Sequence, residues 1–395
     1  MHICLFHFYT SKINPVYEEI AAALARRGHR VWIGGSNPAR DLEWRAAGVL
    51  VGYQVGPGGR IPRWASGNRS LKWLAERFAE FAFMLAVREF LLGQRPDVIQ
   101  INATRFTWII PRRMPKDVLC LLDVRQINEA VSQRLPGRFR EQWRVASTKM
   151  EARFLYDHVC FCHEGAARRI LGHTWRRKGT VVPVGVAERF LDLNWQNSET
   201  TRSRDEAVRF VYIGQLTRLR TLERLILAAK QVGARTVRFR IDLIGRDATQ
   251  GYYARVAKDL GVEHLVHVKP EVDYSLIPQV LTQYDVALAY VPDRPTWHYQ
   301  PTIKVLEYRA LGMPIISTDV ASHRGTVQPE INGLLVKDSV DTLATALLRF
   351  IEDAGFLRRT LRNAQAMRQG TTWDEVAEMY EKNVYCRPWL QESAG

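Results

Sequence analysis

The stretch that decides the fold, residues 301–316, reads PTIKVLEYRALGMPII. Pro301 stands where a helix begins, and the apolar residues after it recur at helical spacing, so one face of that helix is predicted to be buried. Gly312 can end the helix, and the proline that follows prevents it from continuing. Ile315-Ile316 then begins a short strand. The stretch therefore predicts a helix, a tight turn and a buried strand in direct succession.

Lys304 and Glu307 lie one turn apart on this predicted helix. A cation and a carboxylate at a helix start, beside backbone N–H groups that point outward, suit a nucleotide diphosphate. The lysine and the N–H groups would hold phosphate, and the carboxylate would hold the ribose hydroxyls. On spacing alone, the alternative is an ordinary ion pair on an amphipathic helix.

Length and composition indicate a globular protein of two domains. The chain has 395 residues, of which 46% are hydrophobic and 25% charged. No run of about 18 uncharged apolar residues occurs, so no transmembrane helix is expected. The first eight residues lack a basic region and a cleavage site, which favours a first buried strand over a signal peptide.

Cysteine usage favours a reducing compartment. The five cysteines are odd in number and include no C-x-x-C pair, so they are predicted to be buried free thiols in the cytosol. They are Cys4, Cys120, Cys160, Cys162 and Cys386.

The positive charge is concentrated in the first half of the chain. Residues 1–195 hold 30 Lys and Arg against 17 Asp and Glu, a difference of +13, whereas the remainder holds 26 against 24, a difference of +2. A one-sided basic field implies an acidic partner: anionic lipid, nucleic acid or a phosphorylated substrate.

Strands and helices alternate along two series that are separated by a polar stretch. Residues 194–206 have almost no apolar content and are predicted to be a linker. The alternation predicts an α/β protein with two doubly wound domains, 1–193 and 207–371, and a final helix within 372–395 that packs back on the first. The predicted strands are 2–9, 31–35, 97–102, 118–123, 158–162, 181–186, 208–214, 239–245, 265–269, 285–290 and 314–318.

A basic loop leads into a long aromatic helix at residues 71–92. The loop and the start of the helix carry Arg60, Arg63, Arg69, Lys72 and Trp73. A basic and aromatic segment of this kind is what an anchor at a membrane surface needs. The alternative is a core helix packed on the sheet, preceded by a solvated basic loop.

Polar residues follow two predicted strands of the first domain. Open α/β sheets bind ligands at the carboxyl ends of their strands, which makes Asn102, Asp123 and Arg125 candidate site residues. For Arg125 the alternative is a structural ion pair with Asp123. No group of residues has convincing metal-ligand spacing.

Six landmarks occur in a characteristic order. They are GHRVWIGG at 28–35, VVPVGVAERF at 181–190, FVYIGQLTRLRTLERLILAAK at 210–230, DLIG at 242–245, YDVALAYVPD at 284–293, and the opening stretch with NGLLV at 332–336 after it. In this order the chain resembles family 4 of the retaining glycosyltransferases, over nearly its whole length. The resemblance implies the GT-B fold, in which two Rossmann-like domains face each other across a cleft. It also implies a hexosyl-type transferase that moves a sugar from a nucleotide diphosphate to a hydroxyl group with retention.

The resemblance assigns phosphate-binding residues in the second domain. Gly214 matches the family's glycine at the end of the first strand, but Gln215 replaces the arginine that normally follows. Arg220 falls at the position of the family's lysine, and Arg218 is close enough to supply the missing charge. Two guanidinium groups in such a loop can hold a diphosphate. Gly245, at the end of the DLIG landmark, is predicted to line the same donor site.

The opening stretch resembles a sub-branch with the pattern Pro-x-x-Lys-x-x-Glu-Tyr. Glu307 matches the family's second glutamate, which holds the ribose, whereas the first glutamate would fall at Tyr299 and is missing. Lys304 would serve the phosphate, with the backbone N–H groups of Thr302 and Ile303. The departure at Tyr299 leaves the donor sugar open.

Catalysis is expected to depend on cations rather than on a metal or other cofactor. Charge grows on the β-phosphate as the nucleoside diphosphate leaves, and Arg218, Arg220 and Lys304 would stabilise that charge. Asp123, Arg125 and His7 are the catalytic candidates of the first domain, since a carboxylate or histidine there could take the acceptor's proton.

The donor is expected to be a UDP- or GDP-sugar. The resemblance places the acceptor on the basic first domain, and a polyprenyl-diphosphate-linked acceptor at the inner membrane face would fit its charge. This predicts a cytoplasmic enzyme that associates peripherally with the cell membrane in polysaccharide or glycolipid assembly.

Two rival functions stay open at this point. A nucleotide-sugar epimerase of the same fold would need no acceptor and no lipid affinity. A nucleic-acid-binding protein would explain the charge and would bind nucleic acid in a salt-sensitive way. However, the sequence contains no nucleic-acid-binding motif, and no nucleic acid is expected as a partner.

Overall fold

The structure is a computed structural model. It describes residues 1–6, 15–34, 48–52, 69–103, 106–125, 127, 135–193 and 207–386. The chain divides into two compact units. Unit 1 comprises Met1–Val184 and Trp373–Gly395, and unit 2 comprises Gly185–Thr372. The predicted linker at 194–206 lies outside the described residues.

Thirteen strands are described. In chain order they are β1 His2–Phe6, β2 Arg30–Gly34, β3 Val49–Gly52, β4 Val98–Asn102, β5 Leu119–Val124, β6 His158–Phe161, β7 Gly179–Val181, β8 Val208–Ile213, β9 Phe239–Ile244, β10 Val266–Lys269, β11 Val286–Ala289, β12 Ile315–Thr318 and β13 Gly333–Val336.

The α-helices of the described residues connect these strands. They are α1 Pro15–Arg26, α2 Arg69–Gln94, α3 Leu135–Phe154, α4 Glu164–Leu171, α5 Arg189–Asp192, α6 Glu223–Gly233, α7 Tyr252–Asp259, α8 Ile277–Leu281, α9 Pro295–Tyr299, α10 Ile303–Leu311, α11 Ala321–Arg324, α12 Val340–Glu352, α13 Ala354–Ala366 and α14 Trp373–Tyr380, which continues as a π-helical turn, Glu381–Tyr385.

Unit 1 is built on a seven-stranded parallel sheet in the order β3-β2-β1-β4-β5-β6-β7. Every residue of β4 and β5 is buried, as expected for central strands that are covered on both faces. In their register Asn102 lies beside Asp123, at the carboxyl edge of the sheet. This edge therefore carries the polar residues that the sequence singled out.

Unit 2 is built on a six-stranded parallel sheet in the order β10-β9-β8-β11-β12-β13. One core fills the space between this sheet and the amphipathic helices α6, α7 and α12. The apolar stripe of α12, which includes Leu343, Leu347 and Phe350, is buried there. The strand order reverses between β8 and β11, the kind of position at which open α/β sheets bind ligands.

The division between the units differs from the predicted domain boundary. We predicted that the first domain runs to residue 193, whereas 185–193 belong to unit 2. Val186 pairs with Thr372 in an isolated bridge, and the guanidinium of Arg368 donates to the carbonyl oxygens of Leu191 and Leu193 at 2.6 and 3.0 Å. These contacts hold residues 185–193 against unit 2. The sequence of this segment alone gives no signal that would predict them.

The C-terminal helix α14 belongs to unit 1, where it packs against α1. Arg26 donates to Asp374 at 2.6 Å, and Glu381 accepts from Arg27 at 2.6 Å and lies 2.7 Å from His29. The carboxylates of the last helix thus meet the basic end of the first.

Two details of the sequence prediction are corrected. The strand predicted at 181–186 is β7, which ends at Val181, because Pro183 has no N–H group with which to continue a ladder. Four of the five cysteines are buried as predicted, but Cys386 is exposed where it follows the π-helical turn. Within the described part of the chain, no helix is long and apolar enough to cross a membrane.

Candidate functional site

Two glycines bring the ends of β8 and β9 together in unit 2. Gly214 and Gly245 follow these neighbouring strands and have φ values of +149° and +153°, which L side chains rarely adopt. A Cβ atom on Gly245 would lie 2.0 Å from the carbonyl oxygen of Gly214. A Cβ atom on Gly214 would lie 2.9 Å from the Nζ of Lys304. Glycine at both positions therefore keeps the backbone close to a buried ammonium group.

Lys304 is the central residue of this site. It lies in the first turn of α10, its side chain is buried, and Nζ sits 3.3 Å from the centroid of the Tyr212 ring. Nζ has no hydrogen-bond partner in the structure. Burial, and then the charge of Arg220, hold the pKa of Lys304 well below its ordinary value, while Glu307 opposes this shift. Among the described residues, Lys304 thus occupies a buried position in which its Nζ makes no hydrogen bond and the nearby carboxylate of Glu307 only partly offsets the shift.

The two arginines predicted to join Lys304 behave differently. Both lie on the 3-10 turn Arg218–Arg220. The Arg220 guanidinium stacks over the Trp297 ring at 4.1 Å and acts electrostatically on Lys304. Arg218 instead stacks over the Tyr252 ring at 3.3 Å and is exposed. The charge of Arg220, and not that of Arg218, therefore acts on Lys304.

A second layer of hydrogen bonds holds this arginine turn, and sequence reasoning missed it. Thr221 closes the turn with a left-handed φ of +47°, and its hydroxyl lies 3.1 Å from that of Tyr290. Tyr290 donates to Asp338 at 2.7 Å, and Asp338 also pairs with Arg224. The Asp338 carboxylate thus fixes the turn through Tyr290. Because it follows β13, far from the turn in sequence, no local signal indicated this role.

Glu307 lies one turn beyond Lys304, as the sequence predicted. Its Oε1 accepts a hydrogen bond from the hydroxyl of Tyr274 at 2.7 Å. The Tyr274 ring in turn packs beside Phe190, with 6.0 Å between centroids, and under the guanidinium of Arg189 at 4.6 Å. The carboxylate is therefore oriented by an aromatic side chain that the sequence did not identify.

The start of α10 is secured by a buried histidine. Thr302 is the N-cap residue, and its hydroxyl lies 3.0 Å from Nε2 of His323, whose Nδ1 lies 2.7 Å from the hydroxyl of Ser317. Burial, followed by the charges of Lys304 and Arg220, lowers the pKa of His323 to about 3. His323 is therefore a neutral bridge between β12 and the first turn of α10, where Ile303 begins the helix.

We expect replacement of His323 by glutamine to make unit 2 less sensitive to acid. The unfolded chain takes up a proton near pH 6.5, whereas the folded histidine does so only near its pKa of about 3, so wild-type stability falls as the pH drops between these values. The variant loses hydrogen bonds and should melt below wild type at pH 7.5. The difference in free energy of unfolding between wild type and the variant should be smaller at pH 5 than at pH 7.5, by about 2 kcal/mol. Differential scanning fluorimetry at the two pH values measures it, and a gap that widens contradicts the neutral bridge.

Two other predicted donor residues are less informative. Gln215 is exposed directly after Gly214. Tyr299 ends α9, just before the loop that leads to Thr302. Gln215 and Tyr299 therefore do not supply the charges of the arginine and the glutamate that the resembled family has at these positions.

The first-unit candidates Asp123 and Arg125 form a buried pair. Asp123 has no exposed surface, and its Oδ2 accepts from the Nε of Arg125 at 2.9 Å, from Tyr17 at 2.5 Å and from Gln100 at 3.1 Å. The Arg125 guanidinium also donates to the hydroxyl of Tyr380. This environment matches the structural alternative for Arg125, and it leaves no surface of Asp123 open to a substrate.

Burial alone would lower the pKa of Arg125, but the charge of Asp123 leads the interactions that raise it well above its ordinary value. The guanidinium is therefore charged inside unit 1.

The remaining predicted residues are only partly covered by the structure. His7, Arg60 and Arg63 lie outside the described residues. Arg69, Lys72 and Trp73 fall in the first turns of α2. Among the described residues, no group of three or more His, Cys, Asp and Glu could hold a metal ion.

The two doubly wound units define the class of fold, GT-B, and comparison with known proteins agrees. Residues 207–353 match the family described as Glycosyl transferases group 1. This region holds the glycines, the arginine turn and α10, so the site lies within the part of the chain that matches this family.

Two curated relatives are glycosyltransferases. An uncharacterised glycosyltransferase of Methanocaldococcus jannaschii is 25% identical over 49% of this chain and 50% of the relative. The D-inositol 3-phosphate glycosyltransferase of Geodermatophilus obscurus is 26% identical over 59% of this chain and 50% of the relative. The matches thus span about half the length of each relative. They support the predicted class of enzyme and do not favour the epimerase alternative.

Solved structures of the same fold cover the whole chain. Sucrose-phosphate synthase from Thermosynechococcus elongatus superposes with a TM-score of 0.72 at 17% identity, over 100% of this chain and 99% of its own. The Anabaena protein HepE in complex with UDP-glucose superposes with a TM-score of 0.69 at 16% identity, over 97% and 99%. The predicted GT-B fold is confirmed.

Proposed function

We propose that this protein transfers a sugar from a nucleotide diphosphate sugar to a hydroxyl acceptor, with retention at the anomeric carbon. The observation that carries the proposal is the buried ammonium of Lys304, which has no hydrogen-bond partner in the structure and lies beside Gly214 and the charge of Arg220. Lys304 and Arg220 repel each other electrostatically. A ligand with several negative charges would stabilise both cations. A diphosphate is such a ligand.

In the proposed reaction the bond between the anomeric carbon and the β-phosphate oxygen breaks, and a bond from that carbon to the acceptor oxygen forms on the same face. The electron pair of the broken bond stays on the phosphate. Lys304, Arg220 and the N–H groups at the start of α10 stabilise that charge as it grows. The proton of the acceptor hydroxyl passes to a base, for which His7 remains our prediction.

Glu307 is assigned to the ribose of the donor. A carboxylate accepts hydrogen bonds from two neighbouring hydroxyls, and the bond from Tyr274 fixes its orientation. UDP and GDP are the proposed nucleotides. The fold shared with HepE, which was solved with UDP-glucose, supports a nucleotide sugar.

The acceptor and the location of the enzyme follow from the charge of unit 1. The excess of +13 over residues 1–195 supports an anionic acceptor on the first unit. We propose a polyprenyl-diphosphate-linked acceptor, reached by peripheral association with the cytoplasmic face of an anionic membrane. No metal or cofactor takes part in the proposed reaction, because cations supply the charge.

A thermal-shift panel of UDP-, GDP- and ADP-sugars tests the donor. A ligand at 100 times its dissociation constant stabilises the fold by about 2.7 kcal/mol, so the correct donor should raise the melting temperature clearly. Glu307→Ala should lose most of this shift, while Glu375→Ala, outside unit 2, should keep it. If no nucleotide sugar shifts the transition, and Glu307→Ala behaves as wild type, the donor assignment is wrong.

A further inference from the structure

Helix α3 has one side that is buried and one apolar side that faces solvent. Val145 and Ala152 are buried on the inner side. On the other side Trp143, Met150 and Phe154 are 70%, 65% and 77% exposed. Their spacing of seven and four residues places them in one row along the helix. We call this row the α3 stripe. Large apolar side chains aligned in this way mark an interaction surface more often than scattered ones do.

Cations border the α3 stripe at its C-terminal end. Arg153 is exposed next to Phe154, and the Nζ of Lys178 donates to the Arg153 carbonyl oxygen at 2.7 Å. Arg177, one residue before Lys178, is also exposed. This end of the stripe therefore combines an aromatic side chain with three positive charges.

The acidic side chains described near the stripe accept hydrogen bonds from other groups of unit 1. Glu151, the one acid of α3 whose side chain is described, is buried and accepts from Thr107 at 2.5 Å and from Ser147 at 2.8 Å. Asp157, just beyond the helix, accepts from the backbone N–H of Cys120 at 2.7 Å. Glu151 is thus buried, and the exposed carboxylate of Asp157 is outnumbered by Arg153, Arg177 and Lys178 at this end of the stripe.

Helix α2 also carries an exposed apolar side chain in unit 1. Phe78 of α2 is 73% exposed, and one turn later Phe81 packs against Trp108, with 6.5 Å between centroids. Trp108 belongs to the 3-10 turn whose Thr107 is bonded to Glu151 of α3. Both helices therefore contact the same turn. Arg112 stacks over Trp108 at 4.7 Å and is exposed, so this turn also carries a positive charge.

We propose that the α3 stripe seats unit 1 on an anionic lipid surface, with α3 lying in the plane of the headgroups. An amphipathic helix with aromatic side chains on one face and basic residues at its border binds membranes in this way. The inference rests on the proposed peripheral association and identifies the described surface that would carry it. It differs from the loop-and-helix anchor that the sequence predicted at 60–72.

A second copy of the chain fits the stripe less well. Two copies meeting through it would bring Arg153, Arg177 and Lys178 close to their own counterparts, which costs energy. Two aromatic side chains and a methionine, at about 150–250 Å² per aromatic side chain, also fall short of the roughly 800 Å² per partner of a stable interface. An anionic bilayer satisfies both the charge and the apolar area.

Vesicle flotation of the full chain tests the inference. Vesicles of phosphatidylcholine alone are compared with vesicles that contain 30% phosphatidylglycerol, at about 0.1 M salt. We expect wild type to float with the anionic vesicles only. The double variant Trp143→Ser/Phe154→Ser and the single variant Arg153→Glu should each bind at least about fivefold more weakly. Matched controls in unit 2, Val237→Ser/Ile331→Ser and Arg358→Glu, replace side chains of the same exposed types and should float as wild type does.

Each outcome has one meaning. Flotation of the double variant at the wild-type level, or equal binding to both vesicles, overturns the inference. So does a wild-type protein that dimerises in light scattering, loses the dimer in the double variant and does not float. The donor-induced thermal shift, measured on the same variants, separates the two proposals. A donor-induced thermal shift without flotation contradicts only the proposed lipid-binding surface. Flotation without any donor-induced thermal shift contradicts the glycosyltransferase assignment.

Discussion

Replacing Lys304 with methionine should abolish most nucleotide-sugar binding and at the same time raise the melting temperature of the unliganded protein. The variant loses a charge-assisted contact to phosphate, so donor affinity should fall about 10- to 100-fold. It also removes a buried charge whose Nζ has no hydrogen-bond partner in the structure, which should stabilise unit 2 by about 1–3 kcal/mol. Thermal shift with and without the donor measures both effects.

The pH dependence of the same pair of proteins adds a check. Because the pKa of Lys304 in the fold lies well below its ordinary value of 10.5, the folded chain releases this proton at a lower pH than the unfolded chain does. Wild type therefore gains stability relative to the methionine variant as the pH rises. Lys258→Met, at an exposed lysine of the same unit, should change neither stability nor binding. A Lys304→Met protein that still responds fully to the donor would refute the phosphate role.

Replacing Asp123 with alanine should destabilise unit 1 severely. The substitution leaves the Arg125 guanidinium buried without its carboxylate, and breaking a buried ion pair in this way costs about 3–5 kcal/mol. Tyr17 and Gln100 lose their acceptor as well. Hydrogen exchange of the β5 amides should accelerate strongly, while that of the β12 amides in unit 2 stays unchanged and serves as the internal reference.

A paired variant separates structure from catalysis at this position. Asp123→Ala with Arg125→Met removes both charges and should recover much of the lost protection, because no buried charge is then left alone. Asp117→Ala, at an exposed carboxylate that precedes the same strand, should have little effect. If Asp123→Ala keeps normal β5 protection but loses sugar transfer, Asp123 is the catalytic residue that the sequence suggested.

Long apolar runs made most of the sheet predictable. Strands β1, β5 and β8 lie where continuous apolar residues are bounded by polar or glycine residues. The short strand β3 was missed, because its four residues give too little pattern to distinguish it from a loop. The short helix α7 was missed for a similar reason, since eight residues with scattered charges give no clear helical stripe.

The candidate site was predictable only where charge and glycine stand in a recognisable order. Gly214 and Arg220 come from one segment and Lys304 and Glu307 from another, and the fold places all four in unit 2. Their partners Tyr212, Tyr274, Trp297 and His323 had no such signal, because aromatic and histidine side chains in α/β domains usually fill the core. The same limit applied to Asp123, whose burial depends in part on a tyrosine far along the chain.

The return of residues 373–385 to unit 1 has a consequence for synthesis on the ribosome. The Tyr380 hydroxyl cannot accept from Arg125 until the ribosome has passed through all of unit 2, which takes roughly 10–40 s at ordinary elongation rates. During that interval the Arg125 guanidinium of the nascent first unit lacks Tyr380, and α1 lacks the helix α14 that packs against it. The second unit is contiguous in sequence and can fold as soon as it is made. We expect nascent chains arrested before α14 to recruit chaperones through unit 1, although it is made first.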